Sequence, residues 1–377
     1  MNSSFALGLS TLLGTIIGAG IFALPYVVSK SGAASGIFYL LFLGAVMALL
    51  HLCFGEICLR TAEKHRLIGY AQKYIGFSGK VLVTISTLAG TIGALLAYII
   101  LGGAFLEMLL SRVLPLSGYA FSLLFWGALS FFVFQSIRAV AKAELVMNAV
   151  LFAAVVLLLA FTLPKADISN FSLFNANYLF LPFGVMLFSL SGGSAIPEIA
   201  ELLKSGRDKK SLFKLIALGF GIVVALYALF TFGVVGVSGE NTTKDALEGL
   251  RASLGDGVVA VGALFGLLAV ATSYLILGDY LKNSFVRDYR YPPLVSGIVA
   301  VGIPLALFAY GFQEFISVIG VAGTVMGVLE GATILWIFRN AKTMGDREPE
   351  YSLRIPSALL AAIFLVLVGG AIAEFLF

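Results

Sequence analysis

Charged side chains are scarce in this sequence. Only 12% of its 377 residues are Asp, Glu, Lys or Arg, whereas 60% are hydrophobic, and the mean hydropathy is +1.03. A soluble globular domain has about 25% charged residues, so the composition excludes that class. It predicts instead a polytopic membrane protein, whose helices each need roughly 20 apolar residues to cross the hydrocarbon core.

Cysteine and histidine occur only twice each. Cys53 and Cys58 are five residues apart on one predicted helix, where their side chains point to different faces and cannot form an ordinary disulfide. The sequence contains no HExxH motif, no pair of aspartates within a predicted span and no nucleophile with a base in reach. We therefore expect neither an enzyme nor a bound cofactor other than a coupling ion.

Long apolar runs fill most of the chain and predict eleven transmembrane helices. The all-α fold class is favoured because runs such as AVLFAAVVLLLAFTL, residues 149–163, are continuous rather than alternating. The predicted spans cover residues 5–29, 34–59, 79–111, 118–137, 143–163, 177–203, 212–237, 256–281, 292–310, 314–338 and 355–376.

The basic residues follow the positive-inside rule. With the N-terminus in the cytoplasm, 19 of the 24 Lys and Arg lie in cytoplasmic segments, and the C-terminus lies outside. The net charge of +4 is therefore a topology signal rather than a sign of nucleic-acid binding. We expect the protein in the plasma (cytoplasmic) membrane. The longest outer loop, residues 238–256, is predicted to form a short amphipathic helix capped near Thr243.

Glycine and proline interrupt two of the predicted spans. The first span contains GTIIGAGIFALP, residues 14–25, and the sixth contains SGGSAIP, residues 191–197. The two interruptions lie five helices apart, and an odd number of spans per unit gives the second unit the opposite orientation. The sequence thus predicts one domain, residues 1–377, with inverted repeats at about 5–163 and 177–338 and an extra helix at 355–376.

Unwound backbone inside a membrane helix is costly. Each unpaired N–H or C=O group costs several kcal/mol in hydrocarbon, so the segment persists only where it faces protein, water or a ligand. Two such segments at matching depth can hold a carboxylate on freed N–H groups and an ammonium on freed carbonyls. That arrangement is a receptor for a zwitterion. The alternative is that the glycines only permit close packing of helices.

The same segments resemble those of known transporters. GTIIGAGIFALP is similar to the first-helix motif of the amino acid-polyamine-organocation superfamily. FSLSGGSAIPEI, residues 188–199, is similar to the sixth helix of its amino acid/auxin permease and aromatic amino acid permease branches. ATSYLILGDYL, residues 271–281, resembles the eighth helix of the aromatic branch. The resemblance covers nearly the whole chain and implies the five-plus-five inverted-repeat fold of the bacterial leucine transporter.

The resemblance also implies positions for the substrate. Backbone groups of Gly18, Ala19 and Gly20 are expected to bind its carboxylate, with Ile16 nearby. The substrate ammonium is expected to bind the carbonyls of Phe188, Ser189 and Ser191 in the sixth helix. Gly192 and Gly193 are expected to leave room for the substrate side chain, and Tyr98 in the third helix to be an aromatic gate. Ordinary interhelical packing is the alternative role for Tyr98.

The sequence leaves the coupling ion open between sodium and a proton. In sodium-coupled relatives, two hydroxyls of the eighth helix and carbonyls of the first helix coordinate the ion, since hard cations prefer oxygen ligands. The matching residues for such a sodium site are Thr272, Ser273, Thr15 and Gly18.

Glu330 is the candidate for a proton relay. It lies nine residues before Arg339, roughly 13 Å along the predicted helix, and at that depth it needs either a partner or a proton. Two other titratable groups lie in the second helix. Glu56 is expected to pair with Arg60, one turn away, and His51 to be a core histidine whose hydrogen bonds are satisfied.

The two interrupted segments carry no arginine or aspartate, and their serines offer only neutral hydrogen bonds. We therefore predict a cation-coupled secondary active transporter that imports a neutral, apolar or aromatic amino acid by alternating access. Small hydroxy amino acids are the alternative substrates, and an exchanger or a non-transporting sensor of the same fold is the alternative function. A channel is disfavoured, because broken helices and inverted symmetry are typical of alternating access.

Overall fold

The computed structural model describes residues 3–135, 152–203, 206–288 and 290–376, and every regular element within these ranges is helical. The α-helices are α1 (Ser3–Ile16), α2 (Leu24–Ser31), α3 (Ala33–Arg60), α4 (Leu67–Tyr74), α5 (Phe77–Leu110), α6 (Gly118–Gln135), α7 (Phe152–Lys165), α8 (Pro182–Ser189), α9 (Ala195–Leu202), α10 (Gly206–Lys209), α11 (Leu212–Ser238), α12 (Arg251–Asp288), α13 (Pro293–Tyr310), α14 (Phe315–Met344) and α15 (Ser357–Leu376).

Among the described residues, eight helices are long and apolar enough to cross a membrane, or nine if the bent pair formed by α1 and the segment up to Ser31 counts as one span. The eleven-span count stays a prediction for two reasons. Residues 143–151 of the predicted fifth span, together with Lys142 before it, lie outside the described ranges. The predicted sixth span is divided into α8 and α9, each only eight residues long.

The outward faces of the long helices carry large apolar side chains. Ile37, Phe131, Leu294 and Leu365 are all more than half exposed. Water would make such faces costly, whereas lipid tails match them, so the helices keep their apolar surface on both sides. This explains why the hydropathy remains high around the whole circumference of each helix.

The centre of the bundle is built on α5 and α14, which pack against each other. Helix α14 also packs against α8 and α3, and α5 packs against α12 and α6. Helices α1 and α2 lie against α11, on the other side of α8. Both interrupted stretches of chain therefore lie among the most deeply buried helices.

The corner between α2 and α3 requires glycine. Gly32 has φ +92°, and a Cβ built there would lie 2.6 Å from the backbone nitrogen of Phe174. The next two residues donate their N–H groups to the carbonyls of Ser172 and Leu173. The loop that precedes α8 is thus fastened to the corner that follows α2.

One end of the bundle, which we call the basic end, carries Arg60, Lys73, Lys342 and Arg347. Glu56 is fully buried there, and its Oε1 accepts hydrogen bonds from Arg60 Nε at 2.7 Å and Lys342 Nζ at 2.5 Å. Its Oε2 accepts from the amide of Leu353 at 2.6 Å. The predicted pairing of Glu56 with Arg60 is confirmed, and the same carboxylate also fastens the segment between α14 and α15.

The predicted amphipathic helix in the loop after α11 is wrong. The structure has two short 3₁₀ turns, Gly239–Asn241 and Glu248–Leu250, before α12 begins. Asp245 and Thr243 together organise the loop. The Asp245 carboxylate accepts the N–H groups of Leu247 and Glu248, each at 2.8 Å, and the Thr243 hydroxyl donates to Asp245 and accepts from the amide of Gly249. A side chain that binds local N–H groups favours a turn over a helix.

That loop also connects two elements at the end opposite the basic end. Lys244 pairs with Glu314, the residue before α14, at 2.5 Å. Its ammonium lies 5.9 Å from the ring centre of Tyr26 in α2. The loop therefore links the helix after the first interruption to the start of α14.

Candidate functional site

The first interruption follows Ile16, where α1 ends. Gly18 is extended, with φ −133° and ψ −150°, and a 3₁₀ turn over Ala19–Ala23 leads into α2 at an overall bend of 47°. In the part of the chain that the structure describes, the N–H groups of Gly18, Ala19 and Gly20 have no hydrogen-bond acceptor. Three successive free N–H groups form a concave donor set that suits an anion.

The second interruption follows Ser189, where α8 ends, and α9 begins at Ala195. Ser191 donates its N–H to the carbonyl of Phe188 at 3.2 Å, and Ala195 donates to Gly192 at 3.1 Å. Within the described ranges, no donor reaches the carbonyl of Ser191. Of the three carbonyls predicted to bind the ammonium, that of Ser191 is therefore the one left free.

The two interruptions are in direct contact. A Cβ on Gly20 would lie 2.5 Å from Ser189 Oγ and 2.8 Å from Ser189 Cα, and a Cβ on Gly192 would overlap the side chain of Ile16. Glycine at these positions lets the two backbones approach each other. The structure thus brings together Ile16, Gly20, Ser189 and Gly192, all of which the sequence had placed around one site.

A residue that the sequence did not predict joins both interruptions. The phenol of Tyr227, in α11, donates to the carbonyl of Ile16 and to that of Ser189, both at 2.9 Å. These are the last helical residues of α1 and α8, and Tyr227 is fully buried. One hydroxyl proton is therefore shared between the ends of the two broken helices.

Helix α12 contacts the 3₁₀ turn of the first interruption. Its Ser273 hydroxyl lies beside the phenol of Tyr98, which is buried on α5. Thr272 donates its hydroxyl proton to the carbonyls of Leu268 and Ala269, and Thr15 donates to the carbonyl of its own helix four residues back. Both threonine oxygens keep lone pairs, so they remain available as ligands for a cation.

Two titratable side chains flank the glycines of the second interruption. A Cβ built on Gly193 would have Glu330 Oε2 at 3.9 Å and His51 Nε2 at 4.0 Å as its nearest neighbours. In the part of the chain that the structure describes, neither a cation nor a hydrogen-bond partner contacts Glu330. His51 Nδ1 lies 2.6 Å from the carbonyl of Met47, whereas its buried Nε2 has no partner among the described residues. The expectation of a fully satisfied histidine is wrong.

A cavity of about 560 Å³ opens between α1 and α9 at the basic end. Its lining includes Thr11 of α1 and Pro197 of α9. Across it, Arg66 pairs with Glu198 at 3.4 Å, and a second exposed pair of the same kind lies beside it. The cavity thus lies at the basic end, beside the helices that carry both interruptions.

Residues 1–375 match the tryptophan/tyrosine permease family. The chain belongs to this family. The tyrosine-specific transport system 1 of Haemophilus influenzae is 28% identical to this permease over 364 residues, which cover 88% of each chain. The tryptophan-specific transport protein of Shigella flexneri is 26% identical over 417 residues, covering 98% of this permease and 94% of that protein. Glutamine transporter 2 of Aliivibrio fischeri is 24% identical over 329 residues, covering 84% and 83%.

The fold of this permease is that of the leucine transporter. The structure of MhsT in complex with L-phenylalanine matches it with a TM-score of 0.69 at 16% identity, covering all of this permease and 98% of that chain. This match confirms the all-helical fold, and the family match over residues 1–375 confirms the resemblance that the sequence motifs show. Because the family and its relatives are transporters, this permease is an amino acid transporter rather than an enzyme.

Sequence reasoning had little chance to find Tyr227. It lies in an apolar run with no glycine, proline or charge beside it. A phenol at the centre of a membrane helix needs a hydrogen-bond partner, and this is a weak general signal. The identity of that partner depends on how α11 packs against α1 and α8, which the local sequence does not reveal.

Proposed function

We propose that this permease imports a neutral aromatic amino acid, tryptophan or tyrosine, together with a cation across the plasma membrane. The names of two relatives, tyrosine-specific and tryptophan-specific transporters, support the aromatic class. The distribution of basic residues supports a cytoplasmic basic end and N-terminus and an extracytoplasmic C-terminus.

The observation that carries this proposal is the set of free N–H groups at Gly18, Ala19 and Gly20. A buried N–H group without an acceptor costs about 1–3 kcal/mol, so three in succession call for a ligand with several acceptor atoms. A substrate carboxylate supplies them. The free carbonyl of Ser191, on the opposing segment, is an acceptor for the substrate ammonium.

The surroundings of the site favour a neutral, apolar side chain. The ring of Phe22 packs edge-on against Phe105 at 5.1 Å and Phe230 at 6.1 Å, beside the first interruption. Ile16 borders the second interruption at Gly192. An arginine or lysine side chain would leave its charge without a carboxylate partner there, except at Glu330.

For the coupling ion we propose a proton carried by Glu330. A charged carboxylate deep in a membrane protein costs on the order of 3 kcal/mol without a partner, and a proton removes that cost. Its position beside Gly193 links its charge to the segment that binds substrate. Sodium at Thr15, Gly18, Thr272 and Ser273 is the alternative that the experiment distinguishes.

Cation coupling makes uphill uptake feasible. A cation that enters with a neutral zwitterion moves one net charge, which is worth about 2.3 kcal/mol at 100 mV. This corresponds to roughly a fifty-fold concentration ratio before any chemical gradient is added.

The test is uptake into proteoliposomes, screened over all twenty amino acids, with proton and sodium gradients imposed separately. We expect tryptophan or tyrosine to accumulate when the outside is acidic, whether or not sodium is present. Preferential uptake of lysine, glutamate or glutamine would overturn the substrate class, and accumulation that only sodium drives would overturn the proton. Absence of counterflow exchange would show a sensor rather than a transporter.

A further inference from the structure

His51 presents a fixed hydrogen-bond acceptor to the second interruption. A carbonyl oxygen can only accept, so the 2.6 Å contact of Nδ1 with the carbonyl of Met47 requires the ring proton on Nδ1. In the neutral ring Nε2 therefore carries a lone pair. The ring is held in place by Phe220, whose centre lies 4.8 Å away, and the side chain is only 3% exposed.

This lone pair faces the glycines rather than the body of the protein. Cβ atoms built on Gly192 and Gly193 would lie 3.6 Å and 4.0 Å from His51 Nε2. Within the described ranges Nε2 has no hydrogen-bond partner. Because a buried polar atom without a partner is costly and uncommon, its direction marks a binding site.

Glu330 faces the same point from another helix. Its Oε2 lies 3.9 Å from the Cβ position of Gly193, so a base on α3 and an acid on α14 both lie near this one point. Neither side chain has another partner within the described residues at this face. Glycine at 193 leaves the space beside both atoms open, since any larger residue would place a methyl group there.

We propose that His51 and Glu330 together form one proton-binding site beside Gly193. This inference rests on the proposed function, in which Glu330 carries the proton, and it adds His51 as the second residue of the site. With one proton bound the pair has no net charge, either as carboxylic acid and neutral imidazole or, after transfer to Nε2, as carboxylate and imidazolium. Loss of that proton leaves one uncompensated negative charge. Water on the outer side supplies the proton in one half of the transport cycle, water at the basic end receives it in the other half, and no other bond is made or broken.

The neighbouring titratable groups do not compete for this role. The elements packed against α3 and α14 are α2, α4, α5, α8, α9, α11 and α15. The groups with partners of their own are Glu56 with Arg60 and Lys342, Glu198 with Arg66, Glu201 with Lys64, Lys73 with Asp346, Glu374 with Thr324, Tyr98 with Ser273 and Tyr227 with two carbonyls. The others on these elements and on α3 and α14 are Tyr26, Lys30, Tyr39, Cys53, Cys58, Tyr70, Tyr74, Lys80, Glu107, Lys214 and Arg339.

Charge balance explains how the site couples to transport. Helix α9 begins directly after Gly193 and Ser194, so it borders both the proton site and the cavity at the basic end. A neutral site permits α9 to pack against α3, whereas a negative one favours water around it. The proton would thereby bias whether the cavity at the basic end is open.

The experiment measures protons and amino acid together. Full-length protein in liposomes that contain a pH-sensitive dye is given tryptophan or tyrosine, and proton entry per molecule of labelled substrate is compared among variants. His51→Gln keeps a polar side chain but not a basic one, and His51→Phe keeps the ring shape. We expect proton entry per substrate to fall about tenfold or more in both, while counterflow exchange at equal pH continues at a measurable rate.

The controls use the chain's other histidine and an exposed glutamate. His65→Gln and Glu63→Gln alter a pair at the basic end in which the partly buried His65 Nε2 lies 3.3 Å from the exposed Glu63, and both should retain wild-type proton entry. Gly193→Ala is a second way to perturb the pair. Its methyl group would have Glu330 Oε2 at 3.9 Å and His51 Nε2 at 4.0 Å as its nearest neighbours, so it fits beside both atoms. It should lower proton entry as the His51 variants do.

The outcomes separate this inference from the proposed function. If Glu330→Gln loses proton entry while His51→Gln and Gly193→Ala keep it, the histidine has no part in the site and the inference is wrong. If Glu330→Gln also keeps it, the proton assignment itself is wrong. If a His51 variant exchanges no substrate at all, Gly193→Ala decides, and wild-type proton entry in that variant contradicts the pair.

Discussion

The phenol oxygen of Tyr227 lies 2.9 Å from the carbonyl oxygen of Ser189 and equally far from that of Ile16. Through this one hydroxyl, α11 holds the ends of both broken helices. A movement that takes the ends of α1 and α8 beyond the reach of this hydroxyl must break at least one of the two hydrogen bonds. Tyr227 is therefore a positioning residue for the site, although it need not touch substrate.

Tyr227→Phe should weaken both the fold and transport. Removing the hydroxyl leaves two buried carbonyls without this donor, which we expect to cost about 1–3 kcal/mol of unfolding free energy. Because both carbonyls end the helices that border the proposed substrate site, the rate of counterflow exchange should fall as well. Thermal unfolding in detergent and exchange in liposomes measure the two effects.

Tyr274→Phe is the matched control for that variant. Tyr274 is also fully buried, and its phenol bonds to the Ser130 hydroxyl at 2.9 Å, away from both interruptions. Its loss should lower stability by about 1 kcal/mol and leave exchange close to wild type. Equal exchange rates in the two variants would show that Tyr227 acts only through stability.

Gly20→Ala should abolish uptake. The added methyl group would lie 2.8 Å from Ser189 Cα, so the two interruptions must separate. Overpacking of this kind costs about 1–3 kcal/mol, and it also displaces the N–H groups proposed for the carboxylate. Gly221→Ala is the control, because no atom lies within 4 Å of its Cβ position on the exposed face of α11. Normal uptake by the Gly20 variant would refute the close approach.

Thr272→Ala should change proton-driven uptake by no more than about twofold, because its hydroxyl donates only to carbonyls of its own helix. The measurement is uptake under an inward proton gradient with sodium replaced by choline. Ser273→Ala, made in parallel, tests the neighbour of Tyr98. Loss of uptake in choline, restored by sodium, would contradict proton coupling and support the alternative site.

Acid should destabilise the basic end by protonating the carboxylate of Asp346. Asp346 accepts hydrogen bonds from Lys73 Nζ at 2.5 Å and from the amide of Ala62 at 2.9 Å. The bond from Lys73 has the larger effect and that from Ala62 the smaller, and together they hold the pKa of Asp346 below its ordinary value of 3.8. A carboxyl whose pKa is lower in the folded state stabilises the fold above the unfolded pKa. That contribution is lost as the pH falls through the folded value.

The contribution of this group to the melting temperature in detergent should therefore be nearly constant between about pH 7 and pH 5 and should decline below about pH 4. Asp346→Asn should lower the melting temperature at pH 7 and flatten part of the acid decline. Glu348→Gln, an exposed residue of the same segment, is the control. Identical pH profiles for Asp346→Asn and the wild type would show that this contact does not contribute.

The sequence predicts the interruptions because their signals are local. Gly18, Gly20, Gly192 and Pro197 sit in otherwise apolar runs, and their cost in a membrane helix points to a functional reason. The spacing of the two motifs also predicts that they face each other, as the contact of Gly20 with Ser189 shows. Local backbone chemistry was therefore enough to place the two glycine motifs in one region, and the family resemblance added Ser189.

The sequence could not predict contacts between helices that are distant along the chain. The unsatisfied Nε2 of His51 depends on where α9 and α14 lie, and the prediction that His51 is satisfied followed only the statistics of buried histidine. The helix predicted near Thr243 failed for a local reason. The Asp245 carboxylate accepts two N–H groups, and these hydrogen bonds compete with helix formation at a position where residue propensity alone favours a helix.

The most direct test of the central claim is competition for uptake of labelled tryptophan or tyrosine in proteoliposomes. The two interruptions are proposed to bind both ends of a zwitterion, so the unlabelled amino acid should compete. Tryptamine, which lacks the carboxylate, and indole-3-propionate, which lacks the ammonium, should each be at least about a hundredfold weaker. Competition by either analogue as strong as that of the amino acid would contradict the account.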